Sequence, residues 1–74
     1  MQVEVGLYAT LRIGRFDRRP FELDDNVCLR DVLQLADIAE EEVAISLING
    51  QYSKLDGALT DGDHVSLFPA VGGG

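Results

Sequence analysis

At 74 residues, with apolar side chains making up 46% of the chain, there is room for one compact core and no second domain. The formal net charge of −7 argues against nucleic acid as the main partner, because phosphate binding needs a basic face. One cysteine allows no internal disulfide and no Cys/His cluster offers a structural zinc, so packing alone must hold the fold.

The opening stretch "QVEVGLYA" alternates, with Val3, Val5 and Leu7 on one face and Glu4, Gly6 and Tyr8 on the other. That is the pattern of a half-buried strand. It has neither a basic start nor an uninterrupted apolar stretch, so it does not read as a signal peptide. No apolar run approaches the ~20 residues of a membrane span, and the cytoplasm, with no membrane partner, is the expected setting. "IGRFDRRP" carries Gly14, Asp17 and Pro20 and reads as a turn, leading to a second strand around "PFEL".

Leu29, Val32, Leu33 and Ala36 then recur at helical spacing, which predicts one short helix over about residues 28–37. "CLRD" has the form of a capping box, with Cys28 as the cap and Asp31 at the third position; Asn26 is the alternative cap. "VAISLI" is a β-rich run ending in Asn49-Gly50, a tight-turn signal, with a short return strand near "QYSK". "LTDGDH" is a further turn and "VSLF" the last strand.

The order β-β-α-β-β-β predicts an α+β fold, a mixed sheet of four to five strands with one main helix on one face. The first and last strands pair in parallel in the middle, as in a ubiquitin-like β-grasp. Residues 1–69 form the domain and residues 70–74 a flexible glycine tail.

With that frame in place, particular residues resemble a family. "LYATLR" (Leu7 to Arg12) resembles the end of the first strand in the small subunit of molybdopterin synthase. "DGDHVSLFPAVGGG" (Asp61 to Gly74) is similar to that family's ending: a DGD turn, a strand, a proline and a final Gly-Gly. The broader group is the ubiquitin-like sulfur carriers, which includes the carrier of thiamine biosynthesis. Ala70 stands where a second proline is common, and Gly72 where alanine or serine is usual.

The resemblance implies that an adenylyltransferase resembling the ubiquitin-activating enzymes uses ATP to adenylate the Gly74 carboxylate. A sulfur donor protein then converts it to a thiocarboxylate, which a molybdopterin synthase large subunit uses. The chain is a carrier and not an enzyme by itself, with no permanently bound cofactor and no metal. Physical chemistry makes sense of such an ending. An α-carboxylate is ionised at neutral pH and can attack the α-phosphate of ATP, and the acyl adenylate then offers a good leaving group. Gly72 and Gly73 have no Cβ, so the backbone can pass a narrow channel. Ala70 to Gly74, extended, reach roughly 17 Å at ~3.3–3.6 Å per residue. Pro69 ends the strand ladder and stiffens the exit.

Alternation also predicts a docking surface. If Val65 and Leu67 face the helix, Ser66 and Phe68 face away, and so does Tyr8. Tyr8 and Phe68 are therefore expected side by side at the tail exit, with Pro69 and Val71 beside them and one of Leu47 or Ile48 joining. Four of the six basic residues (Arg12, Arg15, Arg18, Arg19) crowd the first turn. Asp37, Glu40, Glu41 and Glu42 crowd another stretch. Both clusters read as solvated turns, or else as an acidic body steered toward a basic partner.

Cys28 has no partner base, and His64 has no companion at ligand spacing. Asp61 and Asp63 are too few for a calcium loop. Lys54, the single lysine, reads as a solvated hairpin residue. Two rival readings stand beside the carrier: a ubiquitin-like modifier whose Gly74 forms isopeptide bonds, and a plain interaction module with an incidental tail. A thiamine-type carrier is the nearest rival within the group.

Overall fold

The computed structural model describes residues 1–70. Its strands are β1 (Gln2–Leu7), β2 (Arg18–Glu22), β3 (Val43–Ile48), β4 (Gln51–Tyr52) and β5 (His64–Pro69). One helix, α1 (Leu29–Leu35), crosses one face of the sheet, and 3-10 helices occupy Ala9–Arg12 and Glu40–Glu42. The strand order is β2-β1-β5-β3-β4. β1 and β5 run parallel at the centre, while β1–β2, β3–β5 and β3–β4 are antiparallel. This is the expected β-grasp arrangement.

The alternation of β1 and β5 sends Val3, Val5, Leu7, Val65 and Leu67 under α1, each at most 2% exposed. Leu29, Val32 and Leu33 answer them from the helix and are equally buried. Phe21, Leu23, Ile38 and Leu59 close the margins of this core.

Local chemistry sets the ends of α1. Cys28 is the capping position, and the Asp31 carboxylate accepts its N–H at 2.9 Å. Asn26, the other candidate, sits in a left-handed turn at φ 64°. The free N–H groups of Leu29 and Arg30 donate to Gly57 O and Leu55 O, so the segment after β4 covers the helix start. At the far end Asp37 turns left-handed, at φ 59°. Asp37 N–H then donates to Gln34 O and Ile38 N–H to Leu33 O. That is a Schellman ending, and it drops Ile38 back into the core. The helix is shorter than the periodicity suggests because Ala36 and Asp37 belong to this ending.

The first hairpin differs from expectation in two respects. The strand stops at Leu7 and not at Ala9, because Ala9 takes φ 52° and bends the chain into a 3-10 helix. Leu11, assigned to no element by its pattern, is thereby driven into the core. β2 also starts at Arg18, ahead of "PFEL", and Pro20 falls opposite Glu4 on this edge strand. An edge is where proline's missing N–H costs least.

Candidate functional site

The helix-free face of the sheet is built by the other half of each alternation. Glu4 lies beside His64 and Gly6 beside Ser66 across the parallel β1–β5 pair. One step further, the rings of Tyr8 and Phe68 stack with centroids 4.5 Å apart and planes within 10°. Tyr8 N–H donates to Leu67 O at 3.1 Å, which locks the two strand ends at one level. Both rings are half-buried, and among the described residues the helix α1 lies on the opposite face of the sheet.

β3 completes the patch, and its register resolves what its composition leaves open. An irregularity between Val43 and Ile45 places Ile45 opposite Phe68 and Leu47 opposite Ser66. Leu47 therefore joins the bare face. Ile48, opposite Val65, packs against the core instead. Ser46, between Ile45 and Leu47, is buried and donates its hydroxyl to Ser53 O at 2.6 Å. Ile45 and Tyr52 are absent from the expected surface, yet they are 38% and 81% exposed on it. Tyr52 was within reach: the two-residue Asn49-Gly50 turn, both at positive φ, forces Leu47 opposite Tyr52. Ile45 carried no comparable signal, because a register shift cannot be read from "VAISLI".

Toward β2 the same face turns ionic. Arg18 Nη1 donates to Glu4 Oε1 at 2.9 Å, and Arg18 Nη2 reaches the Tyr8 hydroxyl at 3.4 Å. The Glu4 hydrogen bond, ahead of the Tyr8 and Glu4 charges, holds the Arg18 guanidinium above its ordinary value. His64 Nδ1 lies 3.6 Å from the same carboxylate. One tyrosine thus joins an apolar half and a charged half: its ring lies on Phe68 and its hydroxyl meets Arg18.

The chain leaves this face at the end of β5. Pro69 pairs opposite Val43, and Ala70 N–H donates to Glu42 O at 3.1 Å, so the backbone is held one residue past the strand. Thr10, Leu11 and Glu42 line a shallow depression beside Pro69 and Ala70. Val71, Gly72, Gly73 and Gly74 lie outside the described residues.

The other end of the sheet is tied by Asp63. Its carboxylate accepts Thr60 N–H at 2.8 Å, the Thr60 hydroxyl at 3.1 Å and the Asn49 amide at 2.9 Å. Asn49 Oδ1 in turn accepts His64 N–H. Thr60 N–H first, then the Asn49 and Thr60 side chains, hold the Asp63 carboxyl below its usual range despite burial. The DGD turn therefore anchors β5 to the β3–β4 turn, and the Asp61 carboxylate accepts Gln2 N–H at 2.8 Å. Its aspartates are structural.

The two charge clusters, read as solvated turns or else as an acidic body steered toward a basic partner, meet. Arg15 Nη2 lies 3.3 Å from both Glu42 carboxylate oxygens and donates to Asp37 O at 3.0 Å. Glu42 also accepts Ala39 N–H, and that bond, with Arg15 beside it, keeps its carboxyl low. Arg30 pairs with Glu40 at 2.8 Å. Among the described residues, no helix is long and apolar enough to cross a membrane.

Comparison with known proteins places this geometry. The sequence profile of the ThiS family matches residues 5–74. No curated protein matches the chain closely enough to count as a relative. Among solved structures, a Pyrococcus furiosus protein assigned as molybdopterin converting factor subunit 1 superposes with a TM-score of 0.77 at 29% identity, covering 96% of this chain and 99% of that one. A chain of the complex of subunits 1 and 2 of the Helicobacter pylori molybdopterin-converting factor gives a TM-score of 0.66 at 30% identity, with both chains fully covered. Small archaeal modifier protein 1 of Haloferax volcanii gives 0.77 at 21% identity, covering 95% and 98%, a likeness of fold.

Proposed function

The chain belongs to the ThiS family of ubiquitin-like sulfur carriers, and from that premise we propose that it carries sulfur on Gly74 to the dithiolene of molybdopterin. In this reading the Gly74 carboxylate attacks the α-phosphorus of ATP on an activating adenylyltransferase, and pyrophosphate leaves. Sulfur delivered at the sulfide oxidation level by a donor protein then forms a C–S bond as the C–O bond to AMP breaks, which leaves a thiocarboxylate. The thiocarboxylate sulfur is the nucleophile toward a substrate held by a large subunit, the counterpart of subunit 2 in the Helicobacter pylori complex. The chain itself supplies the reacting carbonyl, its aim and the docking face; ATP binds to the partner. The chemistry takes place in the cytoplasm.

One observation carries the proposal. β5, held between β1 and β3, ends at Pro69 beside the stacked Tyr8 and Phe68 rings, and Ala70 is still bonded to Glu42 O. A partner that grips the rings receives the following residues at a fixed origin, so Val71 to Gly74 can be directed into its pocket.

The test is intact mass spectrometry after incubation with the matching activating enzyme, ATP and a sulfur donor. Wild type is expected to gain the mass of one oxygen-to-sulfur exchange at Gly74. Deleting Gly74 moves the carboxylate back by up to ~3.6 Å, far beyond the ~1 Å misplacement that can cost a hundredfold in rate. Adding a residue after Gly74 replaces the carboxylate by a peptide carbonyl. Both variants are expected to stay folded and gain nothing. A wild type that gains no sulfur, while the same enzyme loads another carrier, overturns the proposal. The same adenylation would also precede isopeptide formation, so accumulation of protein adducts in place of the thiocarboxylate would favour a modifier.

A further inference from the structure

Arg18 lies on the edge strand β2, directly opposite Gly6 of β1. A residue opposite a glycine has no cross-strand side chain to pack on, and a long one can reach both diagonal neighbours. Arg18 reaches both. Its Nη1 donates to Glu4 Oε1 at 2.9 Å, and its Nη2 lies 3.4 Å from the Tyr8 hydroxyl. Glu4 and Tyr8 stand two residues to either side of Gly6, so the three positions share the helix-free face.

Gly6 is buried, although it belongs to the face without a helix. The atoms over it come from Tyr8 and Arg18. A Cβ on Gly6 would stand 3.5 Å from Tyr8 Cε1, 3.6 Å from the Tyr8 hydroxyl and 3.8 Å from Arg18 Nη2. Tyr8 therefore leans back along β1 over Gly6, with Phe68 stacked on its ring and Arg18 at its hydroxyl. Tyr52 shares this face through its pairing with Leu47 and is 81% exposed. Among the described residues no ring or cation stacks on it. One tyrosine of the face is held on several sides, and the other is free.

We infer that Arg18 is a positioning residue for the docking face: pinned by Glu4 over Gly6, it fixes the Tyr8 ring in its stack with Phe68. A partner then meets an aromatic pair that is already ordered, and the rotamer freedom of Tyr8 is lost on folding and not on binding. The effect is modest in size, because the Arg18–Glu4 pair is exposed. It suffices, since a ring has only to be selected among a few staggered rotamers. An arginine that touched the partner directly would leave a different signature, because its loss would add to that of the Tyr8 hydroxyl. The consequence for loading rests on the sheet face being the surface that the activating enzyme grips; the placing of the ring does not.

Arg18→Met keeps an unbranched apolar stem and removes the guanidinium at an exposed edge position, so the variant is expected to fold. In the free chain, the stacked rings of Tyr8 and Phe68 shift each other's aromatic proton resonances. Arg18→Met should move the Tyr8 resonances toward those of Tyr52, which is the unheld reference and should not change. In the loading reaction with the activating enzyme, ATP and a sulfur donor, KM for the chain should rise about two- to fivefold, the range of an exposed ion pair. The kcat should stay the same, because the chain exit at Pro69 is untouched. Tyr8→Phe should act alike, and the double variant should be no worse than either single one. Unchanged Tyr8 resonances in Arg18→Met overturn the inference, and so does a moved ring at unchanged KM. Losses that add in the double variant also overturn it and make Arg18 a direct contact. A wild type that takes up no sulfur strikes the carrier reading alone, and the resonances still decide the role of Arg18.

Discussion

The two faces of this sheet come from the same strands, yet they do different work. Beneath α1 the side chains of β1 and β5 are excluded from water, and their burial stabilises the fold at roughly 25 cal/mol per Å² of apolar surface. On the opposite face Tyr8, Phe68, Ile45, Leu47 and Tyr52 remain half-buried or exposed, flanked by the Arg18–Glu4–His64 cluster. Apolar surface left open by folding is available to association, and a charged margin gives it orientation. The difference teaches that one alternating pattern can specify a core and an open apolar face together, provided only one face receives a helix.

Substitutions separate the two faces in proportion to what each buries. The largest expected effect is on the covered face, where Leu33→Ala should cost about 2–5 kcal/mol in chemical denaturation. An unchanged unfolding midpoint would break the comparison at its root. Next comes the polar knot at the sheet end. Asp63→Ala leaves the Asn49 amide and Thr60 N–H without their acceptor and should cost about 1–3 kcal/mol.

The same residue has a pH signature with a definite sign. The folded Asp63 pKa lies below the unfolded one, so its stabilisation is fully present above the unfolded value of about 3.9. It is lost as pH falls through the lower, folded value. Denaturation curves from neutral to acidic pH should therefore converge for wild type and Asp63→Asn at the acidic end. A constant gap between them would assign the stabilisation to packing and not to the charge.

On the bare face Phe68→Ala should weaken binding to the activating enzyme or large subunit by about 1–3 kcal/mol, the range of aromatic anchors. Its loss of folding stability should be smaller, about 0.5–1.5 kcal/mol for the stacked pair. Calorimetric affinity that merely tracks the folded fraction would make the ring structural. The smallest effect belongs to Tyr52, 81% exposed on the short strand β4. Tyr52→Ser should change stability by no more than about 0.5 kcal/mol. Any change in partner affinity then measures how far the patch extends.

Element order, the helix stripe and the outward faces of Tyr8 and Phe68 were legible in the chain, because each rests on local periodicity; the parallel central pair was expected from the likeness of the element order to a β-grasp. Residues two apart in a strand share a face, and residues three and four apart share a helix stripe, whatever surrounds them. The ending "DGDHVSLFPAVGGG" and the "LYATLR" segment likewise carried the family in their order alone. Long-range partners decided the rest. The face taken by Leu47 depended on an irregularity in β3 relative to β5, where Ile45 and Phe68, 23 residues apart in the chain, meet only in the folded sheet. The meeting of Arg15 with Glu42, 27 residues on, and the gathering of Thr60 and Asn49 around Asp63 required closed loops. Periodicity determines which way a side chain points from its own backbone; only the packed tertiary structure determines what it points at.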